Sequence, residues 1–500
     1  MLLSKRKIYR IMNKKNRNMK SIYILVLLLT MISFSSCDDL LTEDPPSLIS
    51  YENLNEDTLE AAITGMYEPM TRSRGRLWES TFTLGNELQA DYANRRAAWL
   101  SSFEQYQFER QSAGATWRSF FQCIGRANLL INRINSSDIG PDLKENAIAE
   151  ARFVRGIIYY YVVRSWGKVP LRTEATLSAD DADAPLAEIE DIYKVIIDDL
   201  KFAEKVLSPK TDMPGRATSG AAKLFLAEVY LTREDWQNAR DKSKEVIDNK
   251  ATYGYELEPD FNVIFSHNLP TNSSDVFSIK FHEAVGFGSF LPAYIAPRGP
   301  GNIAVDGGVA ARGIFNLVAR GNCDLIANWD DDDSRKSLNL YTELEVNGQM
   351  VPVNLEGIAD YAFGKFKDPS GIEETAAGND FYLMRYADAL LIFAEADNML
   401  NNGPTNDAYE AINRVRRRGF GLDPYTPNAT ADLPLGLSKA DFDDITLRER
   451  GYEFMLEGKR WYDLVRKNRF DLIQQSKGIT PSLIYWSLPP NEILTNDEID

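Results

Sequence analysis

The segment RERGYEFMLEGKRWYDLVRKNRF, residues 448–470, combines three evenly spaced glutamates with many arginines and aromatic residues. On one continuous helix, Glu449, Glu453 and Glu457 would share a face, with Cβ atoms about 5–6 Å apart. Retaining glycosidases hold two carboxyl groups about 5–5.5 Å apart, but parallel side chains on one helix rarely flank a substrate bond from opposite sides. We therefore favour ion pairs that lock this helix to its neighbours. The expected partners are Arg448, Arg450, Arg460 or Arg466.

Helical periodicity dominates the sequence on the amino-terminal side of this segment. Residues 117–131 place Trp117 and Phe121 on one apolar stripe, and residues 150–166 are apolar around most of the helix circumference, which is typical of a buried helix. Residues from about 253 to 367 instead are rich in Gly, Asn, Asp and Pro. They are expected to form loops and short strands.

Two helical blocks, residues 223–247 and 390–416, resemble each other. Each has an Ala-Glu pair, a turn, and then an alanine, Ala239 or Ala408, that opens a second helix. Small residues that face each other let two helices approach closely, as in tetratricopeptide repeats. An ordinary helical hairpin would show the same pattern.

The amino terminus has the order of a lipoprotein signal. Eight basic residues precede the apolar run 22–32, and the small residues Ser35 and Ser36 lead into Cys37, an order similar to the bacterial lipobox. The run is too short for a membrane span, which needs about 20 apolar residues. We expect residues 1–36 to be cleaved, Cys37 to carry the lipid anchor, and residues 37–48 to form a flexible leader.

Composition excludes several classes of function. The net charge of −17 repels phosphate backbones, so nucleic acid is not an expected partner. Apart from Cys37 the chain has only Cys123 and Cys323, which excludes a disulfide framework but leaves one bridge open. There is no HExxH, CxxC or Gly-rich phosphate loop, and no cofactor is expected.

Segment 448–470 resembles the "ER..E..fEG.RwfDL.R" block of the SusD/RagB family, surface nutrient-binding lipoproteins of glycan-foraging Gram-negative bacteria. Other blocks occur in family order: AEARFVRGIIYYYVVRSWGKVPL from Ala149, GRATSGAAKLFLAEVYL from Gly215, FYLMRYADALLIFAEADN from Phe381, AINRVRRR from Ala411 and SLPPNEILTND from Ser487. The chain reaches Asp500 before the aromatic-terminated tail that the family pattern leads us to expect.

The resemblance implies a mostly α fold, with four tetratricopeptide-like helix pairs and a loop-rich second part. On this basis residues 49–500 form one SusD-like domain, with helical repeats at about 115–250 and 380–470 and a loop-rich insertion at about 253–367. It also implies a surface protein, anchored in the outer membrane, that binds glycans and delivers them to a SusC-type TonB-dependent transporter. Asp38 and Asp39, just after Cys37, resemble the family's surface-export signal.

Two other functions stay open at this stage. A surface lipoprotein of the same fold could capture peptides or another nutrient, and a lipid-anchored glycoside hydrolase is the more remote alternative. We expect no enzymatic activity.

Glycan binding needs flat aromatic surfaces for sugar rings and polar side chains for their hydroxyl groups. Candidates come from residues 77–99 and from the loop-rich part, where such residues cluster: Trp78, Asp91, Tyr92, Arg95, Trp99, Tyr294, Arg298 and Trp329, with Asn86 and Asn94 beside them. These regions match where the family tends to build its glycan site. Each aromatic could equally be a core residue, since Trp and Tyr are mostly buried.

The run Asp330–Asp333 offers oxygen ligands of the kind that calcium prefers. It lacks the alternation and the glycine of a calcium-binding loop. A turn that ends in a helix cap is the favoured interpretation, because Asp is a common N-cap residue.

Overall fold

The computed structural model describes residues 54–71, 77–78, 80–108, 110–178, 181–267, 272–284, 286–296, 317–346, 349–353, 361–367 and 377–499. The predicted signal peptide, the leader with Cys37, and the candidate Arg298 lie outside these ranges.

The described residues are mostly helical, which confirms the predicted fold class. The helices are α1 (Glu56–Thr71), α2 (Thr81–Gln89), α3 (Ser101–Glu104), α4 (Arg110–Asn135), α5 (Pro141–Trp166), α6 (Ile189–Val206), α7 (Ser219–Thr232), α8 (Trp236–Asp248), α9 (Lys250–Tyr253), α10 (Phe261–Ile264), α11 (Leu291–Ile295), α12 (Asp324–Ala327), α13 (Ser334–Asn339), α14 (Tyr386–Leu400), α15 (Asn406–Gly419), α16 (Lys439–Glu453), α17 (Arg460–Arg466), α18 (Phe470–Lys477) and α19 (Pro490–Thr495). A 3-10 turn, Ala98–Leu100, precedes α3.

The strands are short and pair two by two, each pair antiparallel. They are β1 (Ala93–Arg95) with β3 (Leu317–Ala319), β2 (Asp275–Ile279) with β8 (Phe381–Arg385), β4 (Leu340–Tyr341) with β7 (Ala362–Phe363), and β5 (Glu343–Val346) with β6 (Gln349–Pro352). In the part between α8 and β8, the described residues form only short helices and these strands, as the Gly- and Asn-rich composition predicts.

The long helices form a continuous stack. Helix α1 packs on α4, and each helix from α4 to α8 packs on the next one along the chain. The chain then leaves the stack and returns as α14, which packs on α8 and also contacts α15 and α16. The two similar blocks of sequence are therefore neighbours, and Ala239 and Ala408 are fully buried as predicted.

Side-chain caps start four of the stacked helices. In each case the N-cap oxygen accepts a hydrogen bond from a backbone N–H in the first turn, and such a cap is worth about 1 kcal/mol. The capping residues are Thr218 for α7, Asp235 for α8, Thr405 for α15 and Ser438 for α16. No helix within the described ranges is long and apolar enough to cross a membrane.

A buried cluster of charges lies where α16 meets the loop-rich part. Glu453 Oε1 accepts hydrogen bonds from Arg385 Nη1 at 2.6 Å and Arg418 Nη2 at 2.5 Å, and its Oε2 accepts one from Arg335 Nη1 at 3.0 Å. Burial alone raises the pKa of Glu453, but the three guanidinium groups pull this pKa well below its usual range. Glu453 therefore stays ionised and joins three separate segments of the chain.

The predicted structural role of the glutamates is confirmed, but their predicted partners are wrong. Glu449 pairs with Arg335 and Arg416, and Glu457 pairs with Lys365 and Arg385. These cations come from distant segments because the glutamates point into the core, towards neighbouring elements.

The arginines of segment 448–470 point elsewhere. Arg450 pairs with Asp463, Arg466 pairs with Glu395 and Asp463, and Arg460 pairs with Asp91.

The prediction that all three glutamates share one helical face is also wrong. Helix α16 ends at Glu453, and a turn follows in which Leu456 and Gly458 have φ values of 64° and 72°. This left-handed backbone changes the direction of the chain before Glu457. As a result, Glu457 and Glu453 both accept hydrogen bonds from the guanidinium group of Arg385. The carboxylates that suggested a glycosidase are at most 3% exposed and already paired with cations.

Candidate functional site

Three aromatic side chains form an accessible surface at the edge of the loop-rich part. We call Trp99, Phe290 and Tyr294 the aromatic surface. The Trp99 and Tyr294 rings are 6.4 Å apart and edge-on, and the Phe290 and Tyr294 rings are stacked at 6.3 Å. Trp99 is 47% exposed, and the other two are half-buried. Two of the eight sequence candidates thus meet in space although 195 positions separate them in the sequence.

Local backbone structure holds these rings in place. Trp99 sits in the 3-10 turn that follows β1, while Phe290 is the N-cap residue of α11 and Tyr294 lies within that helix. Strand β1 pairs with β3, and α11 packs on β3. The β1–β3 ladder therefore brings the two aromatic segments together.

A polar pair lies beside Trp99. The Arg95 backbone N–H donates to Glu104 Oε1 at 3.0 Å, and Arg95 Nε lies 2.9 Å from Glu104 Oε2. The Arg95 side chain is partly exposed. Arginine and carboxylate groups offer donors and acceptors that suit sugar hydroxyls.

Asp91 lies in the core and is not available to a ligand. Its two carboxylate oxygens accept from Arg460 Nε at 3.0 Å and Arg460 Nη2 at 2.7 Å, and the residue is 2% exposed. The prediction that Asp91 contacts a glycan is therefore wrong. Asp91 instead ties the segment before β1 to α17.

Tyr92 is fully buried and has the same kind of anchoring role. Its hydroxyl donates to Glu87 Oε2 and accepts from the Leu456 N–H at 2.9 Å, while Glu87 Oε1 accepts from the Gly458 N–H at 2.6 Å. Burial raises the pKa of the Glu87 carboxyl to about 7, although these hydrogen bonds oppose the shift. Tyr92 therefore links β1 to the turn after α16 and cannot stack on a sugar.

Trp78 and Trp329 are core residues as well. Trp78 is 1% exposed, and its ring lies among those of Phe82, Phe120 and Tyr161 at 4.6–5.7 Å. Trp329 is 3% exposed and stacks on Tyr452 at 4.5 Å. The prediction that Trp78 and Trp329 offer accessible surfaces to a sugar is wrong, because other aromatic rings cover them. Asn86 and Asn94 are also buried.

Sequence reasoning missed two accessible aromatic residues, the half-buried Phe290 and the exposed Phe287. Phe290 stacks on Tyr294, and Phe287, three residues earlier, is 54% exposed. A signal was present: GFGSF places two phenylalanines among glycines and a serine, a context of turns where a large apolar side chain has little core to enter. Arg298, the remaining candidate, lies outside the described residues.

The acidic run Asp330–Asp333 ends in the predicted helix cap. Asp333 Oδ1 accepts from the Arg335 N–H at 3.0 Å and starts α13, and its carboxylate also pairs with the Arg335 guanidinium. Within the described ranges, no group of three or more His, Cys, Asp or Glu side chains is placed to hold a metal ion. Cys123 and Cys323 are both buried free thiols, so the possible bridge between them is not formed.

The chain is similar in sequence to proteins of one known family. A model described as "SusD family" matches residues 346–497, and one described as "Starch-binding associating with outer membrane" matches residues 39–231. SusD-like protein P2 of Formosa agariphila is 30% identical over 495 residues, which cover 92% of this chain and 93% of that protein.

Solved structures share the same architecture. A SusD homolog from Bacteroides thetaiotaomicron matches with a TM-score of 0.79 at 20% identity, over 90% of this chain and 97% of that chain. A laminarin-binding SusD-like protein matches with a TM-score of 0.72 at 21% identity, over 89% and 98% of the two chains. The near full-length similarity to SusD-like protein P2 shows that the chain belongs to the SusD family.

Proposed function

We propose that this protein binds oligosaccharides on the aromatic surface. The observation that carries the proposal is the pair formed by Trp99 and Tyr294, two aromatic side chains with ring centroids 6.4 Å apart and with Trp99 about half exposed. The CH faces of a sugar ring pack on such aromatic groups, and the adjacent Arg95 and Glu104 offer hydrogen bonds to its hydroxyls.

The expected strength of such a site is modest. Covering about 60–80 Å² of apolar surface with a sugar ring is worth roughly 1.5–2 kcal/mol. Two or three contacts of this size give dissociation constants between about 1 mM and 1 μM. A laminarin-binding protein among the structural relatives supports a glycan as the ligand class.

The proposed role is capture and delivery, without catalysis. We expect Cys37 to carry lipid that anchors the protein at the outer-membrane surface, and a SusC-type TonB-dependent transporter to receive the glycan. A tether raises the effective concentration of the binding protein at its partner. The family model named for starch binding and outer-membrane association supports this location.

Binding is tested with Trp99→Ala and Tyr294→Ala in the mature soluble protein. Screening by affinity electrophoresis uses neutral and acidic polysaccharides, including starch and laminarin, and calorimetry then measures the dissociation constants. Each substitution should weaken binding about 5- to 30-fold, the equivalent of about 1–2 kcal/mol. Tyr425→Ala is the matched control, because Tyr425 is 42% exposed but lies on a different loop.

If both substitutions leave the affinity unchanged, the aromatic surface is not the site. If no polysaccharide binds while a peptide library yields ligands, the protein captures peptides instead. A reducing-sugar assay on every glycan that binds tests the absence of hydrolysis.

Delivery is tested on the helical stack. Lys244 on α8 and Asp407 on α15 border one groove between these helices, far in sequence from the aromatic surface. Lys244→Glu and Asp407→Lys should impair co-purification with the transporter and glycan uptake while soluble glycan binding stays intact. Loss of sugar binding with intact transporter association would mean that the two surfaces are assigned the wrong way round.

A further inference from the structure

A groove separate from the aromatic surface lies between the start of α4 and the carboxy-terminal residues of the chain. Helices α4 and α19 enclose a groove of about 630 Å³, which is within the range of about 300–1,000 Å³ for small-molecule sites. Trp117 and Phe121 line its α4 side, with their rings 4.4 Å apart. These are the residues of the stripe recognised in the sequence, and they play no part in the aromatic surface.

The groove contains a carboxylate held in a fixed orientation. Glu492 Oε2 accepts from Trp117 Nε1 at 3.2 Å, while Oε1 accepts from Asn496 Nδ2 and lies beside Arg172 Nη2, both at 3.2 Å. A carboxylate has about four acceptor positions, so at least one remains for a ligand hydroxyl. Because the protein already orients this group, a ligand loses little entropy in ordering it.

Three further polar side chains border the groove with no partner in the described part of the chain. They are Arg118, Gln122 and Asn491, all exposed. Arg118 and Gln122 lie four residues apart on α4, one turn from each other, while Asn491 faces them from α19. Planar amide and guanidinium groups with free donors, next to aromatic edges, match the hydroxyl pairs of a sugar ring.

We propose that this groove is a second oligosaccharide-binding site. Glu492 accepts a sugar hydroxyl, Arg118, Gln122 and Asn491 hydrogen-bond the neighbouring hydroxyls, and Phe121 packs against the ring. The proposal rests on the proposed glycan binding but concerns different residues. A polysaccharide that reaches both sites on one molecule gains avidity, whereas a short oligosaccharide binds each site separately.

The experiment compares four forms of the mature protein with the same polysaccharide panel, which includes starch and laminarin, and with oligosaccharides cut from each glycan that binds. The forms are wild type, the groove variant Arg118→Ala/Gln122→Ala, the surface variant Trp99→Ala/Tyr294→Ala, and the control Asn132→Ala. Asn132 lies on α4 ten residues beyond Gln122, about 15 Å along the helix.

We expect the groove variant to lose at least tenfold in apparent affinity for the polysaccharide. Its calorimetric stoichiometry with the oligosaccharide should fall from two sites to one, and the control should behave as wild type. Gly114→Leu provides a second variant, since a Cβ at this position in the groove would lie 3.7 Å from Pro489 Cβ, an ordinary contact. The new side chain should fill the groove and have the same effect without loss of a polar group.

The outcomes separate this inference from the proposed function. If the groove variants bind as wild type while the surface variant does not bind, the second site is disproved and the proposed function stands. If the surface variant keeps one site that the groove substitutions then abolish, both hold. If wild type binds no glycan of the panel, both are overturned.

Discussion

The guanidinium group of Arg460 forms a bidentate ion pair with the carboxylate of Asp91, a residue 369 positions earlier in the sequence. Both side chains are buried, and the Ser476 hydroxyl donates to the backbone oxygen of Asp91. This contact fixes the segment that leads into β1, and β1 in turn positions Arg95 and the turn that carries Trp99. Segment 448–470 is therefore connected, through Arg460 and Asp91, to the strand and turn that carry Arg95 and Trp99.

Asp91→Ala should destabilise the protein by about 3–5 kcal/mol, because it leaves the buried Arg460 charge without its partner. Urea unfolding followed by circular dichroism measures the change. Asp332→Ala is the matched control, since Asp332 is exposed, and it should stay within about 0.5 kcal/mol of wild type. A small effect of Asp91→Ala would contradict the anchoring role.

The tryptophans should separate into two groups. Trp78→Ala and Trp329→Ala remove buried rings and should each cost about 3–5 kcal/mol of folding free energy. Trp99→Ala should leave the melting temperature almost unchanged and should weaken glycan binding. Differential scanning calorimetry and binding titrations on the same preparations test this division. A stable Trp78→Ala protein with weakened glycan binding would contradict it.

Glu453→Gln should lower the free energy of unfolding by about 3–5 kcal/mol. The substitution removes the carboxylate that pairs with Arg335, Arg385 and Arg418. Burial raises the pKa of Glu453, but the three guanidinium groups hold it well below its unfolded value near 4.5. Its contribution to stability is thus complete above about pH 4.5 and is lost as the pH falls below that value. In urea unfolding between pH 3 and 7, the free energy of unfolding of Glu453→Gln should fall less steeply with decreasing pH than that of wild type.

Glu87 should have the opposite pH dependence. Burial raises the pKa of its carboxyl to about 7 from 4.5 in the unfolded chain, so between these values the folded state binds the extra proton. Stability falls as the pH rises through this window, by about 3 kcal/mol in total. Glu87→Gln, which mimics the protonated carboxyl, should remove this part of the pH dependence. Urea unfolding at several pH values from 5 to 8 measures the free energy of unfolding of both proteins. If this free energy changes with pH in the same way in both, the carboxyl of Glu87 is already ionised in the folded protein.

Cys37→Ala should prevent lipidation and release the protein from membranes or leave it unprocessed. Membrane fractionation and palmitate labelling of cells that express each form test the anchor. Ser36→Ala is a control that keeps a small residue before the cysteine and should be processed normally. Continued palmitate labelling of Cys37→Ala would show that another residue carries the lipid.

Periodicity, small-residue spacing and ordered motifs were sufficient to predict the helical fold, because these signals are local. The Asp333 cap, predicted from the acidic run, depends only on its immediate neighbours. The block at 448–470 also indicated the family, and the family model that matches residues 346–497 covers it.

Tertiary structure alone decided which polar and aromatic residues are accessible. Asp91 and Arg95 lie four positions apart, yet one is buried against Arg460 and the other is partly exposed, because the distant α17 covers only the first. Trp78 and Trp99 differ for the same reason, since the aromatic rings that surround Trp78 come from α2, α4, α5 and β8. The partners of Glu453 were equally beyond local inference, because a buried charge pairs with whichever cation the folded chain brings to it.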